Sequence, residues 1–416
     1  MLYYIIVQNE VNFKGVSRKM DAKNKISGII CEFNPLHNGH EALIRHVREH
    51  TGSSVVCIMS GNFVQRGEAA ALDKWSRTAL ALKAGADLVI ELPLPWAMSG
   101  AERFALGGVS LLNALGCADT LAFGSECGDA DALLRIARYL LSESFTSDVR
   151  PFLSEGLPFA AARSKAIETA LGTHAAQLNE QPNNILGIEY CKALITTDSA
   201  VSPYTIRRFE VGHDDETVSD RYASASHLRR LSASGESVSQ FVPVYTDSCI
   251  EALKDKKLYP ADINRLDRAV LGFLSTCPAD VLRRTPDVSE GLENKIRSAA
   301  GTVSTLAELY DAVKSKRYSH ARIRRIVLAA YLGLTKDLPD TPPYIRVLGM
   351  TEAGTTLLHT AQPTLPFVMR PADIRRLSPQ AQHIFELEAK ADDLYALCTE
   401  TRRPAGLDYT EKLIRL

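Results

Sequence analysis

The sequence lacks most of the marks of a specialised class. No apolar run approaches the roughly 20 residues that a membrane-spanning helix needs, so it reads as a soluble protein. Its first residues, MLYYIIVQNEVNFKGVSRKMDAKN, have a short apolar start but neither the long apolar core nor the small-residue cleavage site of a secretory signal. Positive charge is not in excess, since 48 lysines and arginines meet 49 aspartates and glutamates. Any surface for a polyanion must therefore be a local patch. The eight cysteines (Cys31, Cys57, Cys117, Cys127, Cys191, Cys249, Cys277 and Cys398) show no C-x-x-C spacing and no pairing with clustered histidines. This argues against a zinc knuckle or a disulfide framework and suits a reducing cytoplasm. A lysine-bearing phosphate loop is also missing.

What is present is a long, patterned chain. At 416 residues and 45% hydrophobic, it can bury a sizeable core and exceeds one typical domain. Patterning begins at Lys25, so residues 1–24 read as an N-terminal extension, disordered or translated from a start assigned too far upstream. From there, KISGIICEF, SVVCIMS, ADLVIELP and ADTLAFGSE read as buried strands. They alternate with GHEALIRHVREH, DKWSRTALALKAG and SGAERFALGGVSLLNALG, whose apolar residues recur at helical spacing. Such alternation predicts an α/β parallel sheet with right-handed crossovers over residues 25–235, with ligands at the carboxyl ends of its strands. Residues 236–416 lose the alternation and read as mainly helical, broken by the proline-rich DLPDTPPYIRV and followed by a strand-like RVLGM.

The first strand ends in CEFNPLHNGHEAL. Asn34-Pro35 forces a turn and a helix begins near Gly39, placing His37 and His40 at its amino terminus. Free backbone N–H groups and the positive end of the helix favour an anion there, and Gly39 removes a side chain that would block its approach. Imidazoles can donate hydrogen bonds to phosphate and stabilise charge that develops when a nucleotide's α-phosphate is attacked. His37 and His40 are therefore the candidate catalytic pair. Zinc is a poorer reading, because no third ligand stands nearby and helical pairs are usually spaced four apart.

Further on, YASASHLRR offers Ser224, Ser226 and Arg229 at a helix start, suited to the β- and γ-phosphates of ATP and to departing pyrophosphate. Ser-x-Ser before a helix is also an ordinary cap. Gln65, Arg66, Asp73, Lys74 and Arg77 follow the second strand and could bind acetate, phosphate or RNA, or form a surface ion-pair cluster. KSKRYSHARIRR is the most basic stretch. Lys314, Lys316, Arg317, Arg322, Arg324 and Arg325 could neutralise phosphates while Tyr318 stacks on a base, or the segment is a solvated helix face.

These residues carry a resemblance. The H-x-G-H loop with the later S-x-S-x-x-R resembles the HIGH-motif nucleotidyltransferase superfamily, whose fold is a Rossmann-like sheet. CEFNPLHNGH, MSGNFVQRGE, LDKWSRT, LVIELP, FGSE and PNNILGIEY, in this order, resemble the tRNA(Met) cytidine acetate ligase family. The resemblance implies an enzyme that uses ATP and acetate to form acetyl-adenylate and then acetylates N4 of the wobble cytidine of elongator tRNA(Met), with Mg2+ accompanying ATP. It implies ATP contacts along Ile30, Cys31, Glu32, Phe33, Asn34, Pro35, Leu36, His37, Asn38, Gly39, His40, Glu41, Ala42 and Leu43, and at Gly124, Asn183 and Arg208. It also implies a tRNA-binding role for the helical second half. From the residues alone, Asn183 and Asn184 could equally cap a helix, and Gly124 could be a strand-end turn. Two rival functions are a small-molecule adenylyltransferase of cofactor biosynthesis and a non-enzymatic RNA-binding protein.

Overall fold

The structure, a computed structural model, describes residues 25–208, 221–289, 291–315 and 318–416. The 1–24 extension, Lys316 and Arg317 lie outside the described residues.

The patterned strands form one sheet. Strands β1 (Ile26–Cys31), β2 (Ser54–Ser60), β3 (Leu88–Leu92), β4 (Thr120–Ser125) and β5 (Ser202–Arg207) lie in the order β3-β2-β1-β4-β5, all parallel. Their crossovers carry helices α1 (Asn38–Thr51), α2 (Lys74–Lys83), α3 (Ala101–Leu115) and α4 (Pro182–Thr196). Strand order reverses beside β1, which opens a crevice between the loops after β1 and β4. The H-x-G-H loop follows β1 directly.

Alternation explains why these runs are apolar throughout. Ile26, Ile30, Val56, Ile58, Leu88 and Ile90 enter one core with Phe104, Ile188 and Phe385. Their sequence neighbours Ile29, Cys31, Val55, Cys57, Met59 and Val89 enter a second core with Ile44, Trp75, Leu80 and Leu228. A strand with helices on both faces must be hydrophobic on both faces.

Chain beyond residue 340 completes the sheet. Strand β6 (Ile345–Met350) runs antiparallel to β3, and the short β7 (Phe367–Val368) and β8 (Ile414–Arg415) pair parallel with β6. The sequence pattern shows the first of these. The other two have two residues each, too few for a period to be seen. Between them and α5 (Ala225–Ser234) lie helices whose apolar faces form a third core, including Leu274, Ile296, Leu309, Val327 and Leu332. The basic-segment helix α6 (His320–Leu332) belongs to it, and Phe63 joins it from a hairpin, Phe63–Val64 with Glu68–Ala69, that follows β2. Helix α7 (Pro379–Tyr395) packs on both the first and third cores. No helix among the described residues is long and apolar enough to cross a membrane.

Candidate active site

The loop after β1 is tightly built. Phe33 is buried with φ of 48°, a left-handed conformation rare for a bulky residue, and it sets its ring edge against His40 with centroids 5.1 Å apart. His37 caps α1: its Nδ1 accepts the Gly39 N–H at 3.1 Å. In return the His37 N–H donates to His40 Nδ1 at 3.3 Å, and the two rings stack 3.6 Å apart. Gly39 is needed for this fold-back, since a Cβ there would lie 3.0 Å from the His37 ring.

Those two bonds fix the chemistry of the pair. A ring nitrogen that accepts a backbone N–H carries no proton, so in each neutral imidazole the proton sits on Nε2. Burial and the positive charge of Arg208 hold His37 down to about 3, and burial with the charges of His37 and Arg208 holds His40 well below its ordinary value. The amino terminus of α1 thus carries two neutral Nε2–H donors, its Gly39, His40 and Glu41 N–H groups being turned onto His37. Two neutral N–H donors at a helix amino terminus suit a phosphate oxygen without proton transfer.

On the β4–β5 side the structure brings together Gly124, Asn183 and Arg208. Arg208 donates to Asn183 Oδ1 at 3.2 Å, and a Cβ on Gly124 would come within 3.0 Å of the Arg208 side chain. Asn183 and Asn184 have different jobs. Asn183 Nδ2 donates to Glu126 at 2.7 Å and its side chain faces Arg208. Asn184 is fully buried, and its Oδ1 accepts the Glu126 and Cys127 N–H groups, pinning the loop after β4 to α4. Neither caps the helix. Glu126 does, accepting the N–H of both asparagines. Sequence reading missed Glu126, which stands 57 residues before Asn183 and is paired with it only by the fold.

The S-x-S-x-x-R segment lies on the other side of the loop. Ser224 is the N-cap of α5, accepting the His227 N–H at 3.2 Å, so the ordinary capping reading applies to it. Ser226 accepts from Arg229, whose other nitrogen donates to the Asn34 carbonyl at 3.0 Å. Asn38 ties the same regions together through the Arg221 and Gln240 carbonyls. Burial raises the Glu32 carboxyl above its usual range, and that carboxylate accepts the Gln65 N–H at 2.8 Å.

Asp73, Lys74 and Arg77 are interior. Arg77, wholly buried, donates to the carbonyls of Glu32, Ser60, Gly61 and Leu72 and clamps the carboxyl ends of β1 and β2. Lys74 sits between Glu91 at 2.9 Å and Asp408 at 2.5 Å, and Asp73 caps α2 while pairing with Arg403 at 2.6 Å. Neither the surface-cluster nor the ligand reading holds for these three.

The basic segment docks on the hairpin. Gly67, at φ of 70°, lies so close to α6 that a Cβ would meet the Arg325 backbone nitrogen at 2.5 Å. Arg324 pairs with Glu68 at 3.1 Å, and Arg325 and Arg322 reach Asp287. Tyr318 donates or accepts at Ser289 Oγ, with Arg322 over its ring at 5.0 Å. Lys314 is exposed at the end of the preceding helix.

The model of the HIGH nucleotidyl transferase family matches residues 24–408. The tRNA(Met) cytidine acetate ligase of Acetivibrio thermocellus is 38% identical over 94% of this chain and 99% of its own. The protein of the same name from Syntrophotalea carbinolica is 40% identical over 80% of this chain and 82% of its own. Among solved structures, Thermotoga maritima TmcAL bound with alpha-thio ATP superposes with a TM-score of 0.88 at 28% identity, covering 94% of this chain and 100% of that one. Its apo form gives 0.89 over 94% and 99%. With a Rossmann-like sheet, a paired-histidine helix terminus after its first strand and these likenesses along nearly its whole length, the chain belongs to the HIGH nucleotidyl transferases and, within them, to the tRNA(Met) cytidine acetate ligases.

Proposed function

We propose that this protein activates acetate with ATP and transfers the acetyl group to N4 of the wobble cytidine of elongator tRNA(Met). The observation that carries the reading is the pair of neutral Nε2–H donors of His37 and His40 at the amino terminus of α1, with Arg208 near enough to oppose their protonation. In the first step an acetate oxygen attacks the α-phosphorus of ATP, the bond to the β-phosphate bridging oxygen breaks, and pyrophosphate leaves. The histidines hold the α-phosphate oxygens as charge builds, while Arg229 and Ser226 attend the departing phosphates. Gly124, Asn183 and Arg208 hold the nucleoside side, and the segment from Ile30 to Leu43 encloses it. In the second step N4 attacks the acetyl carbon, the C–O bond to AMP breaks and N4 gives up a proton.

Mg2+ is the expected counter-ion of ATP; no group of three or more potential ligands among the described residues stands ready to hold an ion alone. The helices within residues 236–416 would receive the tRNA, through Lys314, Lys316, Arg317, Tyr318, Arg322, Arg324 and Arg325. Free thiols at all eight cysteines suit the cytoplasm.

The test is incubation with ATP, radiolabelled acetate and total tRNA, followed by nuclease digestion. Label in N4-acetylcytidine supports the reading. Nucleotide transfer to a phosphorylated cofactor precursor, or no ATP turnover with either, overturns it.

A further inference from the structure

Arg66 stands at the tip of the hairpin after β2, and its setting is unlike that of the arginines around it. Arg77, Arg229, Arg324 and Arg325 each have carbonyl or carboxylate partners. Among the described residues Arg66 has no hydrogen bond and no ion pair, and it is exposed. The backbone on either side of it is nevertheless fixed. Before it, the Gln65 N–H donates to the Glu32 carboxylate at 2.8 Å and the Gln65 carbonyl accepts from Arg325. After it, Gly67 closes the hairpin onto the Val64 carbonyl and packs against the backbone of α6. An unpartnered guanidinium is thus carried on a rigid mount between the catalytic loop and the basic helix.

Its electrostatic surroundings are asymmetric. Arg66 lies near enough to Glu32 to favour its ionised form, and near enough to Arg229 to oppose its charge. Glu68 is shared between Arg229 at 3.7 Å and Arg324 at 3.1 Å, so the one carboxylate next to Arg66 in the hairpin is already engaged by two cations. The guanidiniums of Arg66, Arg229 and Arg324 therefore share two neighbouring acids, Glu32 and Glu68, and Arg66 is the one of the three with no direct partner. The sheet order separates this place from the nucleoside side: Arg66 follows β2, whereas Gly124, Asn183 and Arg208 gather at β4 and β5.

We propose that Arg66 binds a backbone phosphate of the tRNA anticodon loop and so positions the acceptor nucleotide at the acyl-adenylate. This rests on the tRNA-acetylating reading given above. A planar guanidinium on a fixed turn can make two parallel hydrogen bonds to a phosphodiester. A phosphate contact fixes register without reading sequence, leaving the acceptor base to the catalytic loop. Arg66 neighbours Arg229, which is assigned to the departing phosphates, so the test separates a tRNA contact from an ATP contact.

The test is Arg66→Gln, a surface substitution that removes the charge and leaves the hairpin backbone intact. Two rates are measured in the wild type and the variant: acetate-dependent ATP–pyrophosphate exchange without tRNA, and acetylation of tRNA at several salt concentrations. The expected result is exchange within about twofold of wild type, with the KM for tRNA raised on the order of 10-fold or more, as for loss of a charge-assisted hydrogen bond. The log–log salt dependence of tRNA binding should also flatten by about 0.7–0.9, the slope of one phosphate contact. Arg66→Lys should recover part of the affinity and all of the salt slope. An unchanged KM and slope would show Arg66 to be a solvated surface residue, and a matching fall in exchange would place it on ATP or acetate. Either result overturns the inference. If the wild type itself acetylates no tRNA, the functional reading fails first.

Discussion

His37 and His40 are stacked with ring centroids 3.6 Å apart and planes 22° from parallel, and each uses Nδ1 to accept a backbone N–H. The pair is built to stay uncharged. Two imidazolium rings at that distance, one buried and the other half-buried, would repel each other strongly, and Arg208 adds to the repulsion.

Nitrogen NMR on histidine-labelled protein at pH 6–8 should show both residues as neutral Nε2–H tautomers. A protonated ring or an Nδ1–H tautomer at either position would contradict the hydrogen bonds described above.

His40→Ala removes one of the two Nε2–H donors proposed to hold the α-phosphate. Loss of one such donor typically costs about 10²–10³ in rate. Acetate-dependent ATP–pyrophosphate exchange should fall by that order, while tRNA affinity in a filter-binding assay stays near wild type. An exchange rate close to wild type would remove His40 from the catalytic pair.

The depressed affinity of His37 for protons makes stability depend on pH. Its folded value is about 3, and its unfolded value is about 6.5. Between these the unfolded chain binds more protons, so stability rises with pH in this window and the contribution is complete above about 6.5. His37→Asn keeps an N-cap oxygen but does not titrate. The stability difference between wild type and this variant, measured by denaturant unfolding, should therefore move against the wild type as pH is lowered from 7 to 4.5. A pH-independent difference would mean that His37 is not buried in its neutral form.

Adjacent asparagines should behave differently. Asn183→Ala should raise the KM for ATP by about tenfold with little change in unfolding midpoint, since it deletes one hydrogen bond of the nucleoside side. Asn184→Ala strands two half-buried N–H groups and leaves a gap at a fully buried position, and should cost about 2–4 kcal/mol of stability. If the two variants exchange these effects, the assignment of Asn183 to the nucleotide is wrong.

Lys74→Met should destabilise by about 2–4 kcal/mol in chemical denaturation, because the buried carboxylates Glu91 and Asp408 would keep only Arg346 of the two cations they share. A near-neutral effect would mean that the carboxylates take up protons instead.

Much of this was legible in the chain itself. Continuous β-branched runs separated by helical spacing identified a doubly covered parallel sheet, and SVVCIMS is β2 residue for residue. The placement of H-x-G-H between a strand and a helix start was legible because strand, turn and helix start are all local. The basic stretch around Arg322, Arg324 and Arg325 stood out by composition. None of these needs a partner distant in sequence.

What the tertiary structure decided is pairing across the chain. Asp73, Lys74 and Arg77 carry the same residue types as a surface cluster or an anion site, and only the sheet, helix and carboxyl-terminal segments that enclose them make them interior. Glu126 becomes the cap of α4, and Glu68 the shared partner of Arg229 and Arg324, through contacts that no periodicity encodes. The loop from His37 to His40 is similar: residue type and helix position in the sequence put two imidazoles at a helix amino terminus. That both rings are neutral, with the proton on Nε2, depends on burial, on the fold-back over Gly39 and on Arg208, which the fold alone brings near.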